Sequence, residues 1–277
     1  MFDKIEKMKG SVIQHGPNND RVYLMKLAEK DTPEIIDKLH DLSLVKNYTK
    51  IFAKVPAKLV DEFMDNDFKE EASIPKFYKG KETAHFVSRF MDATRSFLSA
   101  AKKLHIRKNI EVALTKKNKN SLSKPDMEFR PLEHQDASQL VSLYEQTFKV
   151  YPFPIFDEQY IKDTMDENIE YFGAFDNDQL VAASSAEKDI ENKNAEMTDF
   201  ATLQDYRGKN LSYFLLKEME KEMEAQNYQT LFTIARSESI GMNATFARQD
   251  YEFGGTLVNN TLIGEDIESM NVWYKNL

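Results

Sequence analysis

The sequence contains no cysteine. This absence excludes a disulfide scaffold, a thiol nucleophile and any zinc or iron–sulfur site with cysteine ligands. It is also compatible with a reducing compartment, so we expect a cytoplasmic protein that needs no metal.

Long apolar runs and an excess of positive charge are missing as well. The longest apolar runs are only a few residues, too short to cross a bilayer, and residues 1–7 mix charges in a way that predicts no secretory signal. The formal net charge is −9 and the pI is near 5.2. Because nucleic-acid binding needs surplus Lys and Arg, we expect no nucleic-acid partner and no membrane partner.

The rest of the composition is typical of a folded chain, and the length indicates two domains. Its 277 residues are 41% hydrophobic and 12% aromatic, enough for a core. Lys and Arg dominate between residues 102 and 125, where Glu111 is the sole acid. We predict a first domain at 1–115, a basic linker at 116–126 and a second domain at 127–277. A solvated hinge is the favoured interpretation of the linker, and attraction of RNA or an acidic partner is the alternative.

The order of predicted elements indicates an α/β fold. The first domain follows the order strand, helix, strand, helix and hairpin, with a connecting helix over 98–114. A segment rich in turn formers, residues 10–20, precedes them. In the second domain helices alternate with strands, and two strands close the chain at 253–263 and 268–274. This order predicts a sheet with helices on both faces.

One strand-to-helix turn has the properties of an anion site. Arg207-Gly208-Lys209 lies between a predicted strand and a helix that begins near Leu211. The first amides of a helix have no partner inside it, and its dipole favours negative charge at that end. Gly208 allows close backbone approach, and the two cations add charge, so the turn suits a pyrophosphate. An ordinary turn before an amphipathic helix is the alternative.

This turn resembles motif A of the GNAT acetyltransferases, in which a splayed strand pairs with pantetheine and loop amides hold the coenzyme A pyrophosphate. Asn210 and Ser212 stand where that motif usually has glycine or alanine. The resemblance implies acetyl-CoA as co-substrate, with Thr202 and Leu203 facing pantetheine. It assigns the pyrophosphate to Arg207, Gly208, Lys209, Asn210, Leu211 and Ser212. It also implies a C-terminal GNAT fold with a mixed, largely antiparallel, twisted sheet flanked by helices.

The whole chain resembles the β-lysine N-acetyltransferases. The resemblance lies in residues 13–16, 19–25, 207–211, 241–247 and 267–274. It implies a small-molecule amine as acceptor, with transfer of acetyl to the terminal amine of β-lysine to give a compatible solute. A homodimer is compatible with this assignment. The smaller N-terminal α/β domain resembles a degenerate half of a GNAT domain that shapes the acceptor pocket.

The chemistry requires a base, because a lysine-type amine with a reference pKa of about 10.4 must lose a proton before it attacks a thioester. Glu196 and Asp199 lie on the strand before the loop, and Glu196 matches the glutamate base of histone-type GNAT enzymes. Three residues apart, they face opposite sides of a regular strand unless a bulge intervenes. Surface carboxylates are the alternative interpretation.

The leaving thiolate needs a proton or a hydrogen bond, and many GNAT enzymes use a tyrosine for it. Phe246 occupies that position here and has no proton to give, so Ser239, Asn243 or a water could substitute. Capping of the following helix is the alternative role of Ser237 or Ser239.

Acceptor recognition requires donors for a carboxylate and acids for a second amine. We predict this role for Tyr151, Arg236, Glu268, Asn271 and Trp273, with core packing as the alternative for Tyr151 and Trp273. His15 either contacts substrate or lies in a turn, where its side chain hydrogen-bonds to the backbone.

Two alternatives to acetylation of β-lysine follow from these residues. The missing tyrosine favours a non-catalytic acyl-CoA-binding or sensing module. The basic linker favours an acetyltransferase for another amine, such as a polyamine or a protein lysine.

Overall fold

The protein is described by a computed structural model that covers residues 3–117, 122–149, 151 and 153–277. Within these residues the strands are β1 (Lys4–Met8), β2 (Ser11–Gly16), β3 (Arg21–Lys26), β4 (Lys50–Pro56), β5 (Lys69–Tyr78), β6 (Glu82–Phe90), β7 (Glu128–Pro131), β8 (Ile169–Asp176), β9 (Gln179–Asp189), β10 (Asn194–Thr202), β11 (Thr230–Arg236), β12 (Glu252–Ile263) and β13 (Asp266–Asn276). The α-helices are α1 (Glu34–Lys46), α2 (Val60–Met64), α3 (Ala93–Ser96), α4 (Ala100–Leu114), α5 (Ala137–Thr147), α6 (Glu158–Glu167), α7 (Leu211–Ala225) and α8 (Ile240–Arg248).

All described strands join one sheet, in the order β1-β2-β3-β4-β6-β5-β12-β13-β11-β10-β9-β8-β7. Only β3–β4 and β10–β11 pair in parallel among them, and the other neighbours are antiparallel. The prediction of an α/β fold with a mixed, largely antiparallel sheet is therefore confirmed. The segment 10–20, rich in turn formers, divides into β2, which pairs with β1, and a turn at residues 17–20 that leads into β3.

The two halves of the sheet repeat one arrangement. In each half a strand pairs in parallel with the next strand along the chain, and a hairpin follows beside it: β3, β4, β6, β5 in one and β10, β11, β13, β12 in the other. Helices α1 and α7 occupy the equivalent crossover connections. The relation of the N-terminal half to a GNAT domain stays a prediction.

Two glycines allow the halves to meet where β12 approaches β5. Gly255 pairs with Ala72 and has φ +143°, and a Cβ there would lie 2.6 Å from Ala72 Cα. A Cβ on Gly254 would lie 2.8 Å from the carbonyl oxygen of Ser73. Side chains at either position would separate the strands, so glycine permits one continuous sheet.

Apolar side chains form a core between the halves as well as within each. Phe52, Phe77 and Phe86 from the N-terminal half pack with Phe232 and Val272 from the C-terminal half. Helices α1 and α2 pack on the first half of the sheet. In the second half, α7 and α8 pack on one face, and α5 and α6 pack on the other.

The predicted connecting helix is α4, which packs on the C-terminal half. Asn109 Nδ2 donates to the Ser237 carbonyl at 3.0 Å, and His105 Nε2 lies 2.8 Å from Glu238 Oε2. Residues 118–121 of the predicted linker lie outside the described residues. The division at 116–126 stays a prediction.

Candidate active site

The parallel strands β10 and β11 part in the middle of the C-terminal half. They pair only at residues 194–196, although β11 continues beside β13 to Arg236. Beyond Glu196 the register of β10 shifts between Thr198 and Ala201, and Asp199 has φ +54°. This bulge bends β10 away from β11 and leaves a gap between two strand edges.

The turn that follows β10 presents backbone amides with no acceptor. Gly208 has φ +81°, Asn210 has φ +59°, and α7 begins at Leu211. No described residue accepts a hydrogen bond from the N–H groups of residues 208–212. A Cβ at Gly208 would meet nothing within 4 Å, so it is the positive φ that favours glycine at this position.

The side chains of this turn add unpaired positive charge. Arg207 and Lys209 are exposed and form no ion pair with any described acid, and Lys209 Nζ lies 4.3 Å from the centre of the Tyr206 ring. Thr202 and Leu203 lie where β10 ends, and Ser212 is in the first turn of α7. The Leu211 side chain is buried in the core, so only its amide faces the turn. Free amides, a helix dipole and two cations make an anion site.

A cavity of about 750 Å³ lies between the two halves of the sheet. Its C-terminal wall includes Glu187, Glu196 and Thr198, and its N-terminal wall includes Arg21 and Lys54. Glu196 lies where β10 and β11 part, so the cavity begins at that gap. Sequence reasoning identified the C-terminal wall only in part and missed the N-terminal one.

Two carboxyl groups and one ammonium group meet in the cavity. Glu187 on β9 is the direct cross-strand neighbour of Glu196. The pKa of Glu196 is raised to about 7, chiefly by burial, with Lys54 opposing the rise and Asp199 adding to it. Burial and the same carboxylates raise the pKa of Glu187 well above the usual range. Glu187 therefore favours its protonated form more strongly than an ordinary carboxyl group, and Glu196 is poised to gain or lose a proton near neutral pH.

Asp199 is occupied by hydrogen bonds. The hydroxyl of Tyr151 donates to its Oδ1, and Ser185 Oγ donates to its Oδ2 at 2.7 Å. The bulge turns Asp199 toward these groups, although burial still raises the pKa of its carboxyl. Tyr151 lines the cavity, whereas Asp199 lies behind it and is 8% exposed. Asp199 is placed to position Tyr151, and Glu196 is the carboxylate that faces the cavity.

Asn243 is the centre of a buried network beneath the last strand. Its Nδ2 donates to the carbonyls of Arg236 and Ser239, and its Oδ1 accepts from Asn271 Nδ2 and Trp273 Nε1, both at 2.8 Å. All its hydrogen-bonding capacity is therefore used. Ser239 Oγ accepts from the Met242 amide and caps α8, the alternative role considered for it.

The prediction that Asn271 and Trp273 contact the acceptor is wrong. Side chains alternate along β13, and Met270 faces the cavity. Asn271 and Trp273 are fully buried on the opposite face, Trp273 among the residues under α7 and α8. Trp273 is a core residue, which is the alternative role given for it from the sequence.

Phe246 is also fully buried, in edge contact with Phe200 and Tyr251. Its predicted contact with the co-substrate is wrong, because the ring has no exposed edge.

Arg236 and Glu268 satisfy each other at one side of the cavity. Arg236 Nε and Nη2 donate to the two carboxylate oxygens of Glu268 at 2.9 and 2.7 Å. A bidentate pair leaves neither group free to act alone on an acceptor. His15 is buried away from the cavity, with Nδ1 3.0 Å from the Tyr48 hydroxyl and Nε2 3.1 Å from Glu6 Oε1. It therefore contacts side chains, in place of the backbone or substrate contacts predicted.

The described part of the chain holds no group of three or more His, Asp or Glu placed to bind a metal ion. It holds no helix that is both long and apolar enough to cross a membrane.

The fold and the site together define an N-acetyltransferase of the GNAT class. The model of the Acetyltransferase (GNAT) family matches residues 137–251. The chain is 40% identical to the β-lysine N(6)-acetyltransferase of Methanococcus maripaludis over 99% of both chains. It is 34% identical to the N-acetyltransferase YodP of Bacillus subtilis over 96% of both, and 32% identical to the β-lysine N(6)-acetyltransferase of Methanosarcina mazei over 88% of this chain and 97% of that one.

The chain belongs to the GNAT acetyltransferase family, and its resemblance to the β-lysine N-acetyltransferases is confirmed.

Proposed function

We propose that this enzyme transfers the acetyl group of acetyl-CoA to the terminal amine of β-lysine, giving Nε-acetyl-β-lysine. Two relatives that align with nearly their whole length are named for this activity. The observation that carries the proposal is the position of Glu196. Its carboxylate lines the cavity at the point where β10 and β11 part, and the anion site follows the end of the same strand, β10.

The anion site suits the pyrophosphate of acetyl-CoA. The free amides of residues 208–212 and the side chains of Arg207 and Lys209 would hold it, and the open edge of β10 near Thr202 and Leu203 would lie beside pantetheine. When bound, acetyl-CoA supplies the thioester carbonyl as acetyl donor. The positive charge of Arg207 and Lys209, which no acid among the described residues pairs with, supports this role.

Glu196 acts as the general base. An amine with a reference pKa near 10.4 enters as an ammonium and must lose a proton, directly or through a water. A carboxylate with a pKa of about 7 can take that proton near neutral pH. Lys54 keeps this pKa from rising further, and Asp199 holds Tyr151 at the cavity wall.

The leaving thiolate receives no proton from the three side chains considered for that role. Phe246 is buried without a polar atom, the amide of Asn243 is saturated, and Ser239 caps α8. We propose that the sulfur leaves as a thiolate or takes its proton from water.

The setting of the reaction follows from the same assignment. We propose that the product is a compatible solute and that the enzyme works in the cytoplasm. A homodimer stays a prediction, which light scattering on the purified protein would test.

The experiment is a thiol-release assay with acetyl-CoA and β-lysine, lysine or polyamines. We expect β-lysine to give the highest kcat/KM, and Glu196→Gln to lower kcat by roughly 100-fold, as expected for loss of a general base. Glu224→Gln, the same change at an exposed position on α7, is the control. If none of these amines leads to thiol release, or if coenzyme A binds without turnover, the proposal is refuted in favour of a sensing module.

A further inference from the structure

A guanidinium group in the N-terminal wall of the cavity has no carboxylate partner. Arg21 is 6% exposed, lines the cavity, and forms no ion pair with any described acid. Its Nη1 donates to the carbonyl of Asn260 and to Thr261 Oγ1, whereas Nε and Nη2 have no described partner. A buried charge without a counter-ion is costly, so a site of this kind favours an anion.

The acids closest to Arg21 are engaged elsewhere. Asp3 accepts from the Asn19 amide and side chain, and Glu71 accepts from Lys50 Nζ at 2.7 Å. Arg95, the other nearby cation, is paired with Asp20. None of these acids contacts Arg21, although the charges of Asp3 and Glu71 act on it from a distance, so the guanidinium has no direct carboxylate partner among the described residues.

The surroundings of Arg21 hold its side chain in place and add a donor. Its guanidinium carbon lies 5.4 Å from the centre of the Tyr23 ring and 5.6 Å from that of Phe52. Gln14 lies opposite Tyr23 on β2, lines the same cavity, is 5% exposed, and its side-chain amide has no described hydrogen bond. A planar fork held between rings, beside a free amide, matches a carboxylate.

The cavity is therefore polarised along its length. Tyr23 adjoins both groups of charges: the centre of its ring lies 5.4 Å from the Arg21 guanidinium carbon, and the charges of Glu187 and Glu196 act on its hydroxyl. Arg21 does not figure among the charges that act on Glu196. One end carries an unpaired cation and the other carries the acids that face the amine.

We infer that Arg21, with Gln14, binds the carboxylate of the acceptor and so selects an amino acid over a plain diamine. This inference rests on the proposed function, because it takes Glu196 as the end where the reacting amine lies. Recognition of the acid end would thus be the task of the N-terminal half, which contributes both side chains.

The test compares Arg21→Gln with the wild type on β-lysine and on its decarboxylated diamine. Kd is measured by calorimetry in the presence of coenzyme A, and KM and kcat by thiol release. We expect Kd and KM for β-lysine to rise roughly 10- to 100-fold in the variant, the value of a charge-assisted hydrogen bond pair. Both constants for the diamine should change less than about two-fold, because it has no carboxylate to lose.

Arg107→Gln, which removes the same charge from an exposed position on α4, is the control, and Arg21→Lys tests whether charge without the fork restores part of the affinity. Equal Kd values for β-lysine in the wild type and Arg21→Gln would overturn the inference. If the wild type binds β-lysine without acetylating it, the proposed function fails and the ratio of Kd values still decides the role of Arg21. Absence of β-lysine binding by the wild type would overturn both.

Discussion

Replacing Lys54 by Met removes the cation that faces Glu196 from the other half of the protein. Lys54 lowers the pKa of Glu196, which burial has raised to about 7. Its ammonium lies 5.0 Å from the centre of the Phe77 ring and 5.7 Å from that of Phe232, so the Met side chain can occupy the same apolar surroundings. Since Glu196 acts as a carboxylate, a higher pKa moves the acidic limb of activity to higher pH.

The size of the shift follows from the loss of one opposite charge. Such a charge within a few ångströms changes a carboxyl pKa by about one unit or more, so we expect a pKa near 8 in Lys54→Met. At pH 7 the ionised fraction of Glu196 then falls from about one half to about one tenth, and kcat/KM falls about five-fold. At pH 9 the two enzymes should differ by less than about 1.5-fold.

The assay is thiol release at low β-lysine concentration over a range of pH. The acceptor amine titrates identically in both reactions, so the ratio of kcat/KM between variant and wild type reports on the enzyme alone. Lys38→Met, on the exposed side of α1, controls for the change in net charge. A ratio that does not depend on pH, or one that falls as pH rises, would refute the assignment of Glu196 as base.

Three further predictions concern the anion site and the network behind it. Gly208→Ala forces a β-carbon into a backbone at φ +81°, and should weaken coenzyme A binding measured by calorimetry by about 5- to 30-fold through a strain of about 1–2 kcal/mol; unchanged affinity would contradict this. Arg207→Gln combined with Lys209→Gln should weaken that binding about 10-fold at low salt and less at high salt, and a salt-independent loss would argue against an electrostatic role. Asn243→Leu strands the buried Trp273 indole and Asn271 amide, whereas the carbonyls of Arg236 and Ser239 keep backbone donors. It should lower the free energy of unfolding in urea by about 3 kcal/mol, and a change below about 0.5 kcal/mol would be inconsistent with the network.

The loop could be predicted from the sequence because its signals are local. The pattern is a glycine, Gly208, between two cations and directly before an amphipathic helix. All of these residues are neighbours in the sequence, so the pattern predicts an anion site without knowledge of the fold. The position of Glu196 was equally accessible, because the strand before such a loop is fixed by the same motif. The bulge at Asp199 was not, since a positive φ at a residue other than glycine leaves no reliable mark in the sequence.

The face of the last strand could not be predicted, because β13 is buried on both sides. Met270 and Val272 pack toward the N-terminal half, while Asn271 and Trp273 pack toward the helices. Alternation identifies two faces but not which one borders a cavity. The polar side chain of Asn271 suggested a binding role, whereas it serves to satisfy Asn243.

Glu187, Lys54 and Arg21 were missed for a different reason. They belong to three strands that the cavity brings together from distant parts of the chain. The one available signal is that each is a charged residue in a strand that is otherwise largely buried. Asp20, the sequence neighbour of Arg21, pairs with Arg95 and leaves Arg21 free for the cavity.

The most direct measurement is the position of the acetyl group in the product. The purified enzyme is incubated with acetyl-CoA and β-lysine, and the product is examined by NMR for amide formation at each nitrogen. The proposed arrangement, with the acid end of the acceptor at Arg21 and its terminal amine at Glu196, predicts acetylation of that terminal amine alone. An acetyl group on the amine next to the carboxylate end, or an unmodified acceptor, would contradict it.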